Sequence, residues 1–266
     1  MKKQGVASGD RNFDDLAERF EQRIYGSNKG AIRQAVIWRD LESVLAKNSK
    51  LRVLDLGGGL GYFSIKLSQL GHDVCFTDIS PVMTQKAIEL ASQAGVDGKI
   101  DWNILSYQKF AEQHQGKFDL VLCHALLEWL EQPELVFPSI VNLLEVNGRL
   151  SLCFYNPAGM VYHNLIRGNF NRVERQEYYR SDKGSLTPDN PCSVKEVRQW
   201  LFENHFGIET VSGIRVFSDY VVEKRGGLKS PEAVLRMELE YSQSEPYKWL
   251  GRYLHFMVSR RLYQSQ

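Results

Sequence analysis

Five short strand-like runs, rich in apolar residues, lie in the first 155 positions of the chain, and each has the length of a buried strand. These runs cover 51–56, 73–77, 100–105, 118–123 and 148–155. Segments with helical spacing of apolar residues lie between them, near 61–70, 81–94, 107–114 and 133–144. Parallel strands joined by right-handed crossover helices require this alternation, so the pattern predicts an α/β fold. We place the end of the fourth helix at Gly148.

The two ends of the chain extend this pattern. Helical spacing over 12–22 and 30–47 predicts leading helices, which form an N-terminal helical cap over 1–48. From 156 to 192 the chain becomes polar and aromatic, which indicates an insertion on the substrate side after the fifth strand. The remaining elements are a helix at 193–204, a strand around 207–217, a helix at 231–242 and a strand at 252–261. The prediction is a mostly parallel seven-stranded sheet with helices on both faces.

A glycine-rich turn is the first candidate for chemistry. The segment LRVLDLGGGLGYFSIKL, at 51–67, has glycines at positions 57, 58, 59 and 61 between a strand and a helix start. Glycine lacks Cβ, so the backbone can approach a ligand closely, and the first N–H groups of the helix face the same place. A second apolar run ends at Asp78, whose carboxylate can reach the hydroxyls of a ribose held over the turn.

The spacing of residues around this turn narrows the range of possible ligands. Asp55 ends the first strand, the pattern is D-x-G-G-G-x-G, and Asp78 ends the second strand. This combination resembles the S-adenosylmethionine site of class I methyltransferases, which have a Rossmann-like fold. A dinucleotide site would need a third glycine where Tyr62 stands. A glycine corner that binds nothing is the alternative interpretation.

Four more side chains are candidates because of their position in the predicted sheet. His124 follows the fourth strand at its carboxyl end, where α/β sheets bind ligands, although it could instead only cap the strand. Tyr107 and Gln108 follow the third strand and could cover a nucleobase and meet its edge, or simply start a helix. Glu128, just beyond, could reach a substrate, although we expect it on a solvated helix face.

The resemblance becomes narrower over the whole chain. RNFDDLAERFEQRIYGSNKGAIRQ, FDLVLCHALLEWL, LSLCFYNPAGMVYHNLIRGNF, GIRVFSDY and EPYKWLGRYLH, together with the glycine turn, resemble the tRNA 5-carboxymethoxyuridine methyltransferase family. The resemblance implies esterification of the carboxylate of 5-carboxymethoxyuridine at the tRNA wobble position. It places cofactor contacts on Arg33, Gly57, Gly58, Asp78, Tyr107, Gln108 and His124, to which the turn itself adds Asp55 and Gly59. Arg33 would hold the carboxylate of the methionine moiety by paired hydrogen bonds.

A carboxylate acceptor needs no general base, because a carboxyl group with a pKa near ~4 is already ionised at neutral pH. The site instead needs cations or hydrogen-bond donors that position the acceptor. Our candidates for holding the carboxylate or the flipped-out base are Arg167, Arg172, Arg215, Tyr155, Tyr162 and His163. For contact with RNA phosphates we expect Arg172, Arg175, Arg180 and Lys183, which are interleaved with aromatic residues. Acidic neighbours make a solvated helix face the rival interpretation.

Composition permits this interpretation without requiring it. A chain of 266 residues, 43% of them hydrophobic, can form a single methyltransferase domain over 1–266. The formal net charge of +1 gives no global field that would attract a polyanion, so any RNA surface must be local. With no apolar span of ~20 residues and no secretory leader, we expect a cytoplasmic protein. Four cysteines without a C-x-x-C pair indicate buried thiols rather than disulfides or a metal site.

Two other functions stay open at this point. The chain could methylate a small-molecule carboxylate or another metabolite, with 156–192 as a lid. It could also be a non-catalytic S-adenosylmethionine-binding protein that uses 156–192 as an interaction surface. The residues alone do not separate these possibilities from tRNA methylation.

Overall fold

The computed structural model describes residues 9–12, 14, 27–47, 50–176, 188, 190–221 and 229–260. Apart from Asn12 and Asp14, the leading helix expected at 12–22 lies outside the described residues, and so do the RNA-contact candidates Arg180 and Lys183. All seven predicted strands lie within them.

The strands form one sheet. They are β1 Arg52–Leu56, β2 Asp73–Asp78, β3 Ile100–Ile104, β4 Phe118–His124, β5 Leu144–Tyr155, β6 Phe206–Ile214 and β7 Tyr253–Arg260. Their order is β3-β2-β1-β4-β5-β7-β6. The first five strands are parallel, and β7 runs antiparallel to both β5 and β6. The predicted mostly parallel seven-stranded α/β sheet is confirmed.

Nine α-helices flank the sheet within the described residues. They are α1 Asn28–Leu45, α2 Tyr62–Gln69, α3 Pro81–Gln93, α4 Tyr107–Gln113, α5 Val136–Leu143, α6 Pro157–Leu165, α7 Phe170–Glu174, α8 Val194–Glu203 and α9 Pro231–Tyr241. Serine hydroxyls cap the N-termini of several of them, with Ser80 accepting from the Met83 N–H at 3.0 Å and Ser193 forming a full capping box with Glu196. Such caps satisfy backbone donors that the first helical turn leaves free, so the sequence marks these helix starts locally.

Hydrophobic residues are buried on both faces of the sheet. One cluster includes Val121, Phe137, Leu152 and Phe256 and packs under α4, α5 and α8. The other lies under α1, α2, α3 and α9 and includes Val36. The four cysteines are buried and unpaired, as the sequence predicts. No helix in the described part of the chain is long and apolar enough to span a membrane.

The predicted helix end at Gly148 is wrong. Helix α5 ends at Leu143, and β5 begins directly at Leu144 and continues through the glycine. The pairing of β5 with β4 shifts register between Phe118 and Leu120, so the extra residues of β5 form a bulge there. Glycine is common at such strand irregularities, and a glycine in a sequence does not distinguish a bulge from a helix end.

Candidate functional site

A cavity of about 320 Å³ opens at the carboxyl ends of the parallel strands. It lies over the point between β1 and β4 where the strand order reverses. Open α/β sheets bind ligands at this place because the loops from the two halves of the sheet diverge there. The cavity therefore coincides with the region to which the sequence assigns the candidate residues.

The glycine turn forms one wall of this cavity and is tied to β2. The N–H groups of Gly57 and Gly58 donate to the Thr77 carbonyl at 2.8 and 3.2 Å. Gly57 and Gly59 have positive φ of 71° and 59°, which residues with a Cβ rarely adopt, and both line the cavity. Gly58 does not line it. A Cβ at Gly58 would lie 2.4 Å from the Phe76 ring, so close packing requires a glycine there.

The two strand-end acids have different places. Asp78 lines the cavity and accepts from the N–H groups of Gly59 and Ser80 at 2.9 and 2.8 Å. Burial raises its pKa above the ordinary value, although these two N–H groups oppose that shift. Asp55 lies beneath the turn, outside the cavity lining, and its carboxylate accepts from the Ser64 hydroxyl at 2.7 Å. Asp55 thus supports the turn from below, while Asp78 faces the cavity.

Tyr107 and Gln108 both line the cavity next to β3. The Gln108 amide nitrogen donates to Asp10 at 2.8 Å, whereas its amide oxygen is buried and has no hydrogen-bond partner. Tyr107 is only 7% exposed, so its ring packs mainly into the core. Asp10 also accepts from the Glu131 N–H at 3.0 Å, which holds a short N-terminal segment beside the cavity. The sequence contains no indication that Asp10 belongs to the site, because its hydrogen bond to Gln108 joins residues that are 98 positions apart.

Arg33 and His124 line the centre of the cavity. Arg33 comes from α1, and its guanidinium lies 5.3 Å from the centre of the Tyr253 ring. His124 ends β4, and its Nε2 lies 2.8 Å from the Ser151 hydroxyl. Burial lowers the pKa of His124 well below its ordinary value, so the imidazole is neutral. The other ring nitrogen, Nδ1, is buried and has no hydrogen-bond partner.

The other half of the cavity lies where β5 ends and β7 begins. Tyr155, Arg215 and Arg252 line it. The Tyr155 hydroxyl is buried without a hydrogen-bond partner, and burial raises its pKa, so it keeps its proton. The Arg252 guanidinium lies 5.3 Å from the centre of the Tyr155 ring. Arg252 was not among the sequence candidates, because nothing in GRYLH distinguishes it from a surface arginine.

Two of these cations differ in how their charge is balanced. Arg215 lies 3.4 Å from the carboxylate of Asp219, and Lys29 lies 3.9 Å from the same carboxylate. For Arg252, no carboxylate of the described residues lies within ion-pair distance, and its Nη1 contacts Met160 sulfur at 3.2 Å. A half-buried arginine without an anion is a site to which an anionic ligand can bind.

Two of the substrate candidates lie outside the cavity. Arg167 is exposed, and His163 packs 6.0 Å from Tyr220, ring centre to ring centre. Neither lines the cavity, so neither can touch a ligand that fills it in this conformation. Tyr162, which is 38% exposed, packs edge-on against Tyr220 at the outer surface. Arg167 and His163 therefore lie outside this cavity, and their role in positioning the acceptor stays a prediction.

The basic candidates on α7 lie on an exposed surface that we call the α6–α7 face, formed by 162–175. Arg172 and Arg175 are exposed there, and no described carboxylate lies within ion-pair distance of either. Large apolar side chains surround them and are also exposed. They are Tyr162 at 38%, Leu165 at 42%, Ile166 at 47% and Phe170 at 58%. A merely solvated helix face would not expose so many large apolar side chains together.

The expected solvated position of Glu128 is wrong. Its side chain is 1% exposed on a short 3-10 turn, Leu127–Trp129, and neither carboxylate oxygen has a hydrogen-bond partner. Burial raises the pKa of Glu128 to about 7, and the positive charge of Arg33 opposes this shift. A helical projection cannot show this burial, because the turn brings the side chain under the end of β5.

The chain matches known proteins at two levels. A family model described as a methyltransferase domain matches residues 30–205. The tRNA 5-carboxymethoxyuridine methyltransferase of Escherichia coli is 41% identical over 97% of this chain and 98% of the relative. A ubiquinone biosynthesis O-methyltransferase of Xanthomonas euvesicatoria is 27% identical over 61% of this chain and 65% of that protein.

A solved structure supports the fold. The magnesium protoporphyrin IX methyltransferase of Synechocystis, solved with bound S-adenosylhomocysteine, superposes with a TM-score of 0.62 at 18% identity. The superposition covers 94% of this chain and 96% of that one. At this identity the likeness concerns the class I methyltransferase fold and not the acceptor. The match to the Escherichia coli relative covers nearly the full length of both chains at 41% identity. This chain therefore belongs to the tRNA 5-carboxymethoxyuridine methyltransferase family.

Proposed function

We propose that this protein transfers a methyl group from S-adenosylmethionine to the carboxylate of 5-carboxymethoxyuridine at the wobble position of tRNA, giving the methyl ester. The observation that carries the proposal is the pair formed by Arg252 and Tyr155. They place a cation without a carboxylate partner and a free hydroxyl donor in one cavity, beside the glycine turn. The relative named for this activity matches the whole length of the chain, which supports the same substrate here.

The donor half of the cavity fits S-adenosylmethionine. Its wall is a glycine turn that lacks the third glycine of a dinucleotide site, and the half-buried Asp78 carboxylate can accept from ribose hydroxyls. The Gln108 amide oxygen, buried without a partner, suits the amino group of an adenine ring. Arg33 suits the carboxylate of the methionine end, and His124 lies beside it.

The chemistry makes few demands on the protein. Bound S-adenosylmethionine supplies an electrophilic methyl group on a sulfonium. The protein must hold the acceptor oxygen in line with that methyl and keep water away. The described cavity has no strong base near the acceptor half, because His124 is neutral with a lowered pKa and Tyr155 keeps its proton. A carboxylate needs no base, whereas a sugar hydroxyl would, so the electrostatics favour a carboxylate acceptor.

Arg252 and Tyr155 would position that acceptor. An arginine can bind a carboxylate through two parallel N–H bonds, which fixes the plane of the group. The Tyr155 hydroxyl can donate a further hydrogen bond, and Arg215, already paired with Asp219, adds positive potential. In this proposal Arg33 binds the carboxylate of the methyl donor, and Arg252 binds the carboxylate of the acceptor.

The tRNA itself needs a surface outside the cavity. The α6–α7 face combines Arg172 and Arg175 with exposed aromatic and aliphatic side chains, which suits phosphate contact and base stacking. Tyr220 packs against this face, because its ring contacts Tyr162 and its hydroxyl donates to the Gly159 carbonyl at 3.1 Å. We propose that the tRNA binds to 156–192, whose described part carries this face, and that Asp10 and Arg33 of the N-terminal part line the donor side of the cavity.

A transfer assay tests the proposal. The protein is incubated with methyl-labelled S-adenosylmethionine and two tRNA preparations, one carrying 5-carboxymethoxyuridine and one whose wobble uridine is unmodified. We expect alkali-labile label only in the first, because methyl esters hydrolyse in base. Label that appears only in small acids would contradict the tRNA proposal. Cofactor binding without any labelled acceptor would favour the non-catalytic alternative.

Arg252→Met tests the acceptor half separately. Loss of a charged, paired hydrogen bond costs about 1.5–3 kcal/mol, so we expect kcat/KM for tRNA to fall about 10- to 100-fold. Affinity for S-adenosylhomocysteine, measured by calorimetry, should stay within about twofold, because Arg252 lies outside the donor half. Arg236→Met is the matched control, since Arg236 is exposed, does not line the cavity and lies outside the α6–α7 face. Equal losses in both variants would refute the role of Arg252.

A further inference from the structure

A chain of buried polar groups runs from the cavity through the sheet to α1. His124 Nε2 lies 2.8 Å from the Ser151 hydroxyl, and the same hydroxyl lies 2.8 Å from His255 Nε2. His255 Nδ1 lies 2.7 Å from the Asp40 carboxylate. His124, Ser151 and His255 come from the neighbouring strands β4, β5 and β7. Asp40, Ser151 and His255 are at most 5% exposed, so no bulk water interrupts the chain.

The charge at the far end of this chain is already balanced. Arg39 Nη2 and Nε donate to Asp40 Oδ1 at 2.7 and 3.0 Å, and the Gln243 amide donates to the same oxygen at 3.0 Å. A protonated His255 would add a second cation to a core that offers one carboxylate for Arg39. Because unbalanced buried charge is costly, charge balance favours the arrangement with a single proton on the His255 ring.

The direction of every hydrogen bond then follows. The Asp40 carboxylate can only accept, so His255 carries its proton on Nδ1 and offers a lone pair at Nε2. The Ser151 hydroxyl must donate to that lone pair, which leaves its oxygen to accept from His124. His124 therefore carries its proton on Nε2. Its Nδ1 has a lone pair, and this is the atom that is buried without a partner in the described structure.

We propose that Asp40, His255 and Ser151 are positioning residues that fix the tautomer of His124, so that Nδ1 presents a hydrogen-bond acceptor to the cavity. The ligand group that meets His124 must then be a donor, and the α-ammonium group of the methionine end is such a donor. This inference rests on the donor half of the proposed function. It adds that recognition of the ammonium group depends on a carboxylate on the far side of the sheet.

We call the hydrogen-bonded series Asp40, His255, Ser151 and His124 the relay. Asp40→Asn reverses the direction of its hydrogen bonds. The variant side chain must keep its oxygen toward Arg39 and Gln243, which only donate, so its amide NH₂ faces His255. His255 then accepts at Nδ1 and carries its proton on Nε2, Ser151 donates to His124, and His124 carries its proton on Nδ1. Two donors would face each other in the cavity. The same reversal by an Asp-to-Asn change at a histidine is known from hydrolase triads.

Nitrogen-15 NMR of histidine-labelled full-length protein reads the tautomer directly, and calorimetry with S-adenosylhomocysteine reads its consequence. We expect His124 protonated at Nε2 in the wild type and at Nδ1 in Asp40→Asn, with affinity at least about 10-fold lower in the variant. His124 protonated at Nδ1 in the wild type would overturn the inference. So would unchanged affinity once the tautomer has reversed.

Ser151→Ala covers the case in which Asp40→Asn does not fold. It removes one hydroxyl and releases His124 from the relay, so both tautomers should appear and affinity should fall severalfold. Ser68→Ala is the matched control, because Ser68 is equally buried but has no hydrogen-bond partner. A single unchanged tautomer in Ser151→Ala would refute the relay. These readouts are independent of tRNA, so a failure of the tRNA assay would not be mistaken for a failure of the relay.

Discussion

Glu128→Gln should make the protein less sensitive to alkaline pH. The carboxylate is 1% exposed and its oxygens have no hydrogen-bond partner, so ionisation in the folded state is unfavourable. Burial raises the pKa of Glu128 from an ordinary value of 4.5 to about 7. At about 1.4 kcal/mol for each pKa unit, the ionised form costs the folded state about 3 kcal/mol.

The sign follows from proton binding. Between pH 4.5 and about 7 the folded protein holds a proton on Glu128 that the unfolded chain has lost. Stability from this group is therefore highest at low pH and falls as the pH rises through this range, then levels off. Glutamine has no such dependence. From pH 5 to pH 8 the variant should gain about 2.5 kcal/mol in unfolding free energy relative to the wild type.

Urea unfolding followed by circular dichroism at pH 5, 6, 7 and 8 measures this difference. Glu131→Gln is the control, because Glu131 is exposed nearby on the chain and should show a difference near zero at every pH. A Glu128→Gln difference that stays flat across the range would refute the burial of an unpaired carboxylate. A difference of the opposite sign would mean that the carboxylate is ionised and paired in solution.

Three further changes test the donor half and the RNA surface. Asp78→Asn should weaken S-adenosylhomocysteine binding about 10- to 100-fold in calorimetry, and unchanged affinity would exclude Asp78 from the ribose site. Gly58→Ala should lower the unfolding free energy by about 1–3 kcal/mol through the clash described above, whereas Gly98→Ala, with open space around it, should be neutral. Reversing the charge of Arg172 and Arg175 should weaken tRNA binding and flatten its salt dependence in filter binding. Unaltered binding would remove both from the RNA face.

The sheet and the donor half follow from local sequence. Strands, crossover helices and the glycine turn depend on periodicity and on residue types within short windows, and the structure keeps nearly all of their bounds. The position of Asp78 and His124 in the cavity wall could be predicted because each ends a strand at one edge of the sheet. The position of Gly148 inside a strand could not be predicted, because glycine is common both at a bulge in a strand and at a helix end.

The acceptor half and the relay depend on contacts between distant positions. Arg252 is distinctive only because no described carboxylate pairs with it while Tyr155 lies against it, which sequence spacing does not encode. Likewise, the hydrogen bond between Asp40 and His255 spans 215 positions. Burial of Glu128 depends on how one short turn packs under β5, so its polar residue type favoured the wrong interpretation.

Mass spectrometry of tRNA nucleosides from cells lacking this protein tests the central claim most directly. The proposal predicts that the methyl ester of 5-carboxymethoxyuridine disappears and the free acid accumulates, and that the wild-type gene restores the ester while an Arg252→Met gene restores little of it. An unchanged level of the methyl ester in the deletion strain would contradict the proposed function.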